Sequence, residues 1–466
     1  MPEHAMKGHA NILELIGNTP LLRLTTFDTG PCTLWLKLEN QNPGGSIKDR
    51  IGRSMIEAAE REGKIGPGST LVEATAGNTG LGLALVAASK GYKLILVIPD
   101  KMSQEKLVHL RALGANIVMT RSDVGRGHPQ YYQDLAERIA RQTPNSFFVN
   151  QFNNSANPLA HEQTTGPEIW EQTDHKVDAV VCGVGSSGTL TGLSRYFARV
   201  APHVEMVLAD PAGSVLADYI RTGKIGSVGS WLVEGIGEDF IPPIADLSRV
   251  RTAYSIPDAE SLHTGRLLLE REGVLAGSST GTLVAAAIRY CRDQTSAKQV
   301  VTFACDTGSK YLSKMYNDNW MADQGLAERP KFGDLRDLIG RPFREGGVVS
   351  VTPEDPLTVA YARMRLYDVS QLAVLENDRL AGIVDESDLL LAATSGGDAF
   401  DRLVRDVMTA NVQTLAPTAK IDDLMAVLAA GLVAVIRDDS GFYGLITRVD
   451  LLNFLRKQHA AQKKHG

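Results

Sequence analysis

Gly44-Gly45-Ser46-Ile47-Lys48-Asp49-Arg50 reads as a junction between a strand and a helix. The glycine pair ends an extended run, Ser46 opens a helix, and Asp49 follows three residues later at the spacing of a capping box. The helix continues to Ala59, with Ile51, Met55, Ile56 and Ala59 on one face. Lys48 falls in its first turn, where the positive end of the helix dipole disfavours a protonated amine. Burial would lower its pKa further, and a neutral amine can condense with a carbonyl. Taken alone, the stretch reads more readily as a capped helix with a solvated lysine. The rest of the chain reverses that weighting.

Upstream, Leu34–Glu39 reads as a strand. Downstream, Thr70–Glu73 is a short strand running into Ala74-Thr75-Ala76-Gly77-Asn78-Thr79-Gly80, and Leu81–Lys90 is an alanine-rich buried helix. Leu94–Ile98 is a buried strand, Glu105–Leu113 a helix and Ile117–Thr120 a strand. The alternation resumes with the strand Ala179–Cys182, the helix Thr189–Val200 and the strand Val204–Ala209, then with the helix Ser261–Glu272 and the strand Gln299–Ala304. Such alternation predicts βαβ units and parallel sheet covered on both faces, with ligands beyond the carboxyl ends of the strands.

After Asp323 the pattern changes, and from about residue 345 the chain repeats itself. Val349–Pro353 recurs as Gln413–Pro417, Gln371–Leu375 as Leu432–Ile436, and Leu380–Asp388 as Tyr443–Asp450. Each copy reads β-α-β-β-α, too small for a core of its own, so the two are expected to pair. The expected organisation is a loose N-terminus (1–10), a first domain (11–325), a linker (326–344), two repeats (345–400 and 401–459) and a basic tail (460–466).

The 466 residues suggest two or three domains, and 43% hydrophobic with 22% charged residues supports packed cores. A net charge of −6 argues against a nucleic-acid partner. The four cysteines, Cys32, Cys182, Cys291 and Cys305, form no CxxC pair and suggest neither zinc nor disulfides. The absence of a signal peptide at Met1–Asn11 and of a long apolar run predicts a cytoplasmic protein with no membrane partner.

Gly183-Val184-Gly185-Ser186-Ser187-Gly188-Thr189 follows a strand and opens a helix, an arrangement that lets backbone amides and the helix dipole meet an anion. It also matches G-x-G-x-x-G, and Asp210, 22 residues after Gly188, stands where a dinucleotide site keeps its ribose acid. An NAD-linked dehydrogenase is therefore a rival reading. Thr75–Gly80 suits a carboxylate, Gly277–Thr282 is a third small polar loop, and Gln151–Asn154 and Glu234–Gly237 are weaker signals. A lysine, an asparagine, a phosphate cradle and a serine loop on one α/β scaffold together suit pyridoxal 5′-phosphate.

Asn42–Arg50, Glu73–Gly80, Gly185–Thr189 and Gly277–Gly281 resemble the fold-type II pyridoxal-phosphate enzymes, whose tryptophan synthase β-like core holds two parallel-sheet subdomains. Asn157–His161, Val233–Pro242 and Tyr316–Met321 are similar to the cystathionine β-synthases, and 345–459 resembles the tandem CBS (Bateman) module named after them. The resemblance implies that Lys48 holds the cofactor as a Schiff base and later takes the substrate Cα proton. It implies that Asn78 bonds the ring oxygen, that Gly185, Ser186, Ser187, Gly188 and Thr189 cradle the phosphate, and that Ser279 faces the ring nitrogen. Thr75, Ala76, Gly77, Thr79, Gln151 and Gly235 are implied at the substrate.

Ala76 stands where many relatives have serine, Phe152 where several have tyrosine, and Ser187 where a glycine is usual. The implied reaction joins serine, or an activated serine, to homocysteine to give cystathionine, with hydrogen sulfide from cysteine by the same chemistry. An O-acetylserine or O-phosphoserine sulfhydrylase is the nearest rival, and an adenosyl-nucleotide sensor a rival of another class. No haem is expected, because His4, His9 and Cys32 do not replace the haem-binding extension of animal enzymes. S-adenosylmethionine or an adenine nucleotide is expected at Thr447 and Asp450, with Asp388 the corresponding acid of the first repeat, and the chain is expected to form a homodimer or higher homo-oligomer.

Overall fold

The computed structural model describes residues 8–465 apart from Ala76, Lys101, Arg126, Arg329 and 395–398, and only the backbone of Ala399 and of 457–465. The chain divides into two compact units, Met1–Asn317 and Asp318–Gly466.

The strands of the first unit are β1 (Leu21–Leu24), β2 (Thr33–Lys37), β3 (Thr70–Ala74), β4 (Lys93–Pro99), β5 (Asn116–Thr120), β6 (Ser146–Phe148), β7 (Ala179–Gly183), β8 (Glu205–Pro211), β9 (Val250–Ile256) and β10 (Gln299–Phe303). They form two sheets, of order β1-β2-β10-β7-β8-β9 and β5-β4-β3-β6. Every pairing is parallel except that of the edge strand β1 with β2. Strands covered on both faces are apolar runs, as in Val180-Val181-Cys182 and Leu96-Val97-Ile98, all buried. One core fills the six-stranded sheet around Leu34, Val180, Leu208, Leu283 and Val300; another lies on the four-stranded sheet around Ile51, Met55, Leu71, Leu81 and Leu96. The sequence reading overlooked β9, whose residues between Val250 and Ile256 are half-buried or exposed, so that it carries no apolar run.

The helix Lys48–Arg61 forms as expected, but its cap does not. Ser46 Oγ accepts from the Lys48 amide at 3.2 Å, while the Asp49 carboxylate turns back to the Gly44 amide at 2.5 Å. The cause is tertiary: residues 45–47 pair as a short antiparallel bridge with 305–307, through Thr307 N to Gly45 O (3.0 Å) and Ile47 N to Cys305 O (2.8 Å). Gly45, at φ +73°, makes the turn that Lys310 Nζ then holds through the carbonyls of Gly44 and Gly45. The same helix meets the helix Asn78–Lys90 backbone to backbone. A Cβ on Gly82 would lie 2.5 Å from the Lys48 carbonyl oxygen, and one on Gly52 2.7 Å from the Gly82 carbonyl carbon. Two glycines thus bring the N-termini carrying Lys48 and Asn78 together.

The predicted strand Leu34–Glu39 ends at Lys37, and Glu39 enters a short 3-10 turn because its carboxylate is needed inside. Arg50 reaches Glu39 through Nε and Nη2 (2.7 and 2.8 Å) and Glu168 through Nη1 and Nη2 (2.7 Å each). Lys37 Nζ adds a 2.7 Å bond to Glu168, so two cations and two anions balance in the interior.

In the second unit each repeat does fold β-α-β-β-α. The first holds β11 (Ser350–Val351), the helix Leu357–Tyr367, β12 (Gln371–Glu376), β13 (Arg379–Asp385) and the helix Glu386–Thr394. The second holds β14 (Thr414–Leu415), the helix Ile421–Ala429, β15 (Ala434–Asp438), β16 (Gly441–Ile446) and the helix Arg448–His465. Ala373, Leu375 and Ile383 of the first pack on Val435 and Phe442 of the second, which is how two incomplete cores pair. Leu335, Leu338 and Ile339, within the stretch read as a linker, fill the second repeat's core beside Leu424 and Ile446.

Candidate active site

Four segments of the site leave the carboxyl end of a strand: 75–80 after β3, Gln151 after β6, 184–189 after β7 and 304–311 after β10; Gly235 lies in the segment between the helix Leu216–Thr222 and β9. Ser279 opens the helix Ser278–Arg292 behind them.

Lys48 is half-buried, and its Nζ has no hydrogen-bond or ion-pair partner among the described residues. Burial holds its amine below the ordinary lysine range, against the pull of Cys305, Asp306 and Glu238. The Ser279 hydroxyl faces the Cys305 thiol, which burial, aided by Asp306, pushes up to about 12. Asn78 is fixed at both ends of its amide, Oδ1 accepting from Lys310 Nζ at 3.0 Å and Nδ2 donating to Asp306 Oδ2 at 2.7 Å. Tyr311 OH donates to the same Asp306 oxygen at 2.7 Å. Lys106 reaches Tyr311 OH at 3.1 Å and Glu234 at 2.6 Å.

The 75–79 loop closes on Gln151. Thr75 Oγ1 accepts from the Gly77 amide at 3.2 Å, Gly77 takes φ +138°, and Thr79 Oγ1 donates to Gln151 Oε1 at 2.7 Å. Ala76 lies outside the described residues. Glu73 ties the two segments from behind by accepting from the Ala74 and Gln151 amides (3.0 and 3.2 Å); burial pushes its carboxyl up to about 8. Phe152 meets Phe240 with the rings tilted by 52° and their centroids 5.7 Å apart.

In the glycine loop, Ser187 adopts φ +72° and precedes the helix Gly188–Val200. The amides of Gly185, Ser186 and Ser187 donate to no other described residue. A Cβ on Gly185 would come 2.7 Å from the Gly235 carbonyl oxygen, and one on Gly188 would overlap Asn157 Oδ1. Free amides at a helix N-terminus, walled by positions that admit only glycine, suit a phosphate. An unpaired amine of lowered pKa suits an aldehyde. The residues present therefore fit pyridoxal 5′-phosphate.

They do not fit a dinucleotide. Asp210 is fully buried, and its Oδ2 caps the helix Leu216–Thr222 by accepting from the Ala217 amide at 2.8 Å. Burial raises its carboxyl to about 6. The spacing that suggested a ribose acid belongs to a helix cap.

In the second unit, Thr447 stands just before the helix Arg448–His465, and Asp450 lies in that helix's first turn. Asp450 Oδ2 accepts from its amide and hydroxyl (2.7 and 2.5 Å), and a Cβ on Gly340 would overlap Asp450 Oδ1. Asp388 Oδ2 likewise accepts from the Asp385 amide at 3.0 Å, and Asp385 Oδ1 accepts from the Ser387 and Asp388 amides. Both acids cap helices.

The contributions of Asn157, His161, Asp306, Lys310 and Tyr311 to this site escaped the sequence reading; only the Asn157–His161 string gave a signal, as part of the resemblance. Among the described residues, no helix is long and apolar enough to cross a membrane, and no cluster of three His, Cys, Asp or Glu could hold a metal.

The family described as pyridoxal-phosphate dependent enzyme matches residues 12–306, and the CBS domain matches 342–395 and 404–457. The chain is 34% identical to cystathionine beta-synthase of Apis mellifera, across 96% of this chain and 91% of that protein, and 33% identical to that of Saccharomyces cerevisiae, across 96% and 97%. Cysteine synthase A of Escherichia coli (strain K12) is 42% identical over 64% of this chain and 92% of its own length. Among solved structures, an O-acetylserine dependent cystathionine beta-synthase from Helicobacter pylori superposes with TM-score 0.62 at 35% identity, covering 66% of this chain and 99% of that one. A hydrogen sulfide-producing enzyme from Fusobacterium nucleatum gives 0.61 at 34%, covering 65% and 100%. With a fold-type II core, a CBS-domain pair and likeness along nearly the whole chain, this protein belongs to the cystathionine β-synthase family of pyridoxal-phosphate-dependent enzymes.

Proposed function

We propose that the enzyme replaces the β-substituent of serine, or of an activated serine, with the thiol of homocysteine to give cystathionine, and that it releases hydrogen sulfide when cysteine is a substrate. The cofactor supplies an electron sink for the substrate carbanion. Lys48 binds its aldehyde and exchanges the Cα proton, as its lowered pKa allows. The loop Gly185–Thr189 takes the phosphate, Asn78 presents Nδ2 to the ring oxygen, and Ser279 faces the ring nitrogen. A neutral serine there, unlike a carboxylate, leaves that nitrogen uncharged and favours β-elimination. Thr75, Ala76, Gly77, Thr79, Gln151 and Gly235 enclose the substrate.

The observation that carries this reading is the free Lys48 amine, held on one side by the bridge to 305–307 and on the other by the Asn78 helix. With serine and homocysteine the expected product is cystathionine. If sulfide outcompetes homocysteine in kcat/KM with O-acetylserine, the enzyme is a sulfhydrylase; the likeness to cysteine synthase A and Phe152 favour that second reading.

The reading includes no haem. The Cys32 thiol is buried and turned to the Cys291 carbonyl (3.6 Å), and His9 faces Glu14 at 3.4 Å. His4 lies outside the described residues. Protein from haem-replete cells is expected to show no Soret band at stoichiometric intensity.

For the CBS pair the reading adds an adenosyl ligand, S-adenosylmethionine before AMP or ATP, with Asp450 accepting from the ribose hydroxyls and Thr447 meeting the polar tail. Asp388 is the weaker counterpart, because Asp385 stands where the second repeat has a threonine. Calorimetry on the full chain is expected to show heat with S-adenosylmethionine that Asp450→Ala abolishes. No heat with any of the three leaves both acids as helix caps. A homodimer or larger homo-oligomer completes the reading.

A further inference from the structure

Behind the glycine loop runs a segment to which the proposed reaction gives no part. Ala156–Ala160 is α-helical and widens into a π turn over His161–Thr165, a distortion that concentrates at functional sites. Asn157 and His161, four residues apart, share a face, and both are fully buried. Asn157 Nδ2 donates to Ser186 Oγ at 2.9 Å and to the Gln151 carbonyl at 2.8 Å. His161 Nε2 lies 3.2 Å from Thr189 Oγ1, and its Nδ1 lies 2.9 Å from Thr165 Oγ1. Close packing fixes these contacts. A Cβ on Gly192 would overlap the Pro158 carbonyl oxygen and come 2.8 Å from His161 Cβ, just as one on Gly188 would overlap Asn157.

A hydroxyl has one proton to give and lone pairs to receive. An amide NH2 only donates, so Ser186 Oγ receives from Asn157 and keeps its own proton for another acceptor. A neutral imidazole donates through one nitrogen and accepts through the other. Burial, with Arg50 and Lys48 nearby, keeps His161 far below its ordinary pKa and therefore neutral. With the proton on Nε2, Thr165 donates to Nδ1, and Thr189 Oγ1 receives and keeps its proton, as Ser186 does. Both hydroxyl protons are then left for a third group, in a loop whose amides are also free.

We propose that Asn157 and His161 are positioning residues that commit the Ser186 and Thr189 hydroxyls as donors to a bound phosphate dianion, His161 acting as its Nε2-protonated tautomer. The proposal rests on the reading of Gly185–Thr189 as the phosphate cradle and adds what sets its polarity. It also accounts for the serine at position 186, whose side chain would otherwise face Asn157 to no purpose.

The test compares pyridoxal phosphate with phosphate-free pyridoxal, each titrated into cofactor-free protein, and follows the ratio of their affinities. Hydrogen bonds to a charged group predict that His161→Leu and Asn157→Asp each lower that ratio roughly ten- to hundredfold with pyridoxal binding unchanged. His161→Gln, whose amide can donate, is expected to keep most of it, and His161→Leu to add nothing in a Thr189→Val background. An unchanged ratio in both single variants, or equal loss of both ligands, overturns the proposal. If His161→Leu does not fold, Ser186→Ala and Thr189→Val carry the same test, and an undiminished ratio in both overturns it. Wild-type protein that binds both ligands equally would instead refute the cradle itself.

Discussion

Lys48→Ala is expected to yield a protein that still binds pyridoxal phosphate in the glycine loop but no longer attaches it covalently. Borohydride should fix the cofactor to the wild-type chain at Lys48 and leave the variant unlabelled by mass spectrometry. Turnover should fall by roughly a hundredfold to ten-thousandfold, the usual worth of a positioned acid–base group, with a further loss from the missing attachment. The physical ground is that the other two lysines described at this site, Lys310 and Lys106, are already engaged. Lys310 is occupied by the carbonyls of Gly44 and Gly45 and by Asn78, and Lys106 by Glu234 and Tyr311. Borohydride labelling at either lysine in the variant, with activity retained, would refute the assignment.

Arg50→Met should produce the largest loss of stability. Arg50 makes two bonds to Glu39, which is fully buried, and two to Glu168. Removing the guanidinium leaves both carboxylates with Lys37 as their one remaining cation in the network, a change worth about 3–5 kcal/mol. In the folded protein burial pushes both carboxyls up, but Arg50, joined by Lys37 and at Glu39 by Thr19, more than offsets it, so both titrate below the ordinary carboxylate range. A folded pKa below the unfolded one gives stability that is full above the unfolded value and is lost as pH falls through the folded value. The gap between wild type and variant should therefore be widest near about pH 7 and shrink toward about pH 3. Denaturant midpoints at both pH values measure it; a gap that does not change with pH removes the electrostatic explanation.

What the sequence disclosed follows the range of the forces involved. The Lys48 helix, the Asn78 loop and the glycine loop were legible because strand, turn and helix start within a dozen residues, and glycine marks where the backbone must turn or approach closely. The cap of the Lys48 helix was misread because a local rule lost to pairing with residues 305–307, more than 250 positions away. Asp306, Lys310 and Tyr311 gave no signal for the same reason: Asp306 meets Asn78 across 228 residues. Asp210 misled in the opposite way, since its spacing was right but its carboxylate, at the end of β8, meets the N-terminus of the helix Leu216–Thr222. The acids of the CBS repeats show how far spacing reaches: it located both turns and left open whether each carboxylate caps a helix or meets a ligand.

The seam at Lys48 also has a mechanical meaning. Ile47 packs in the core of the six-stranded sheet, and Ile51, one turn later, in that of the four-stranded sheet. The 75–79 loop and Gln151 hang on the four-stranded side, and the glycine loop and Ser279 on the other. Should either core rotate against the other, the chain that belongs to both is the pivot, and displacement grows with the lever arm from it. The groups proposed to hold substrate would then move further than the Lys48 amine, which sits at the pivot.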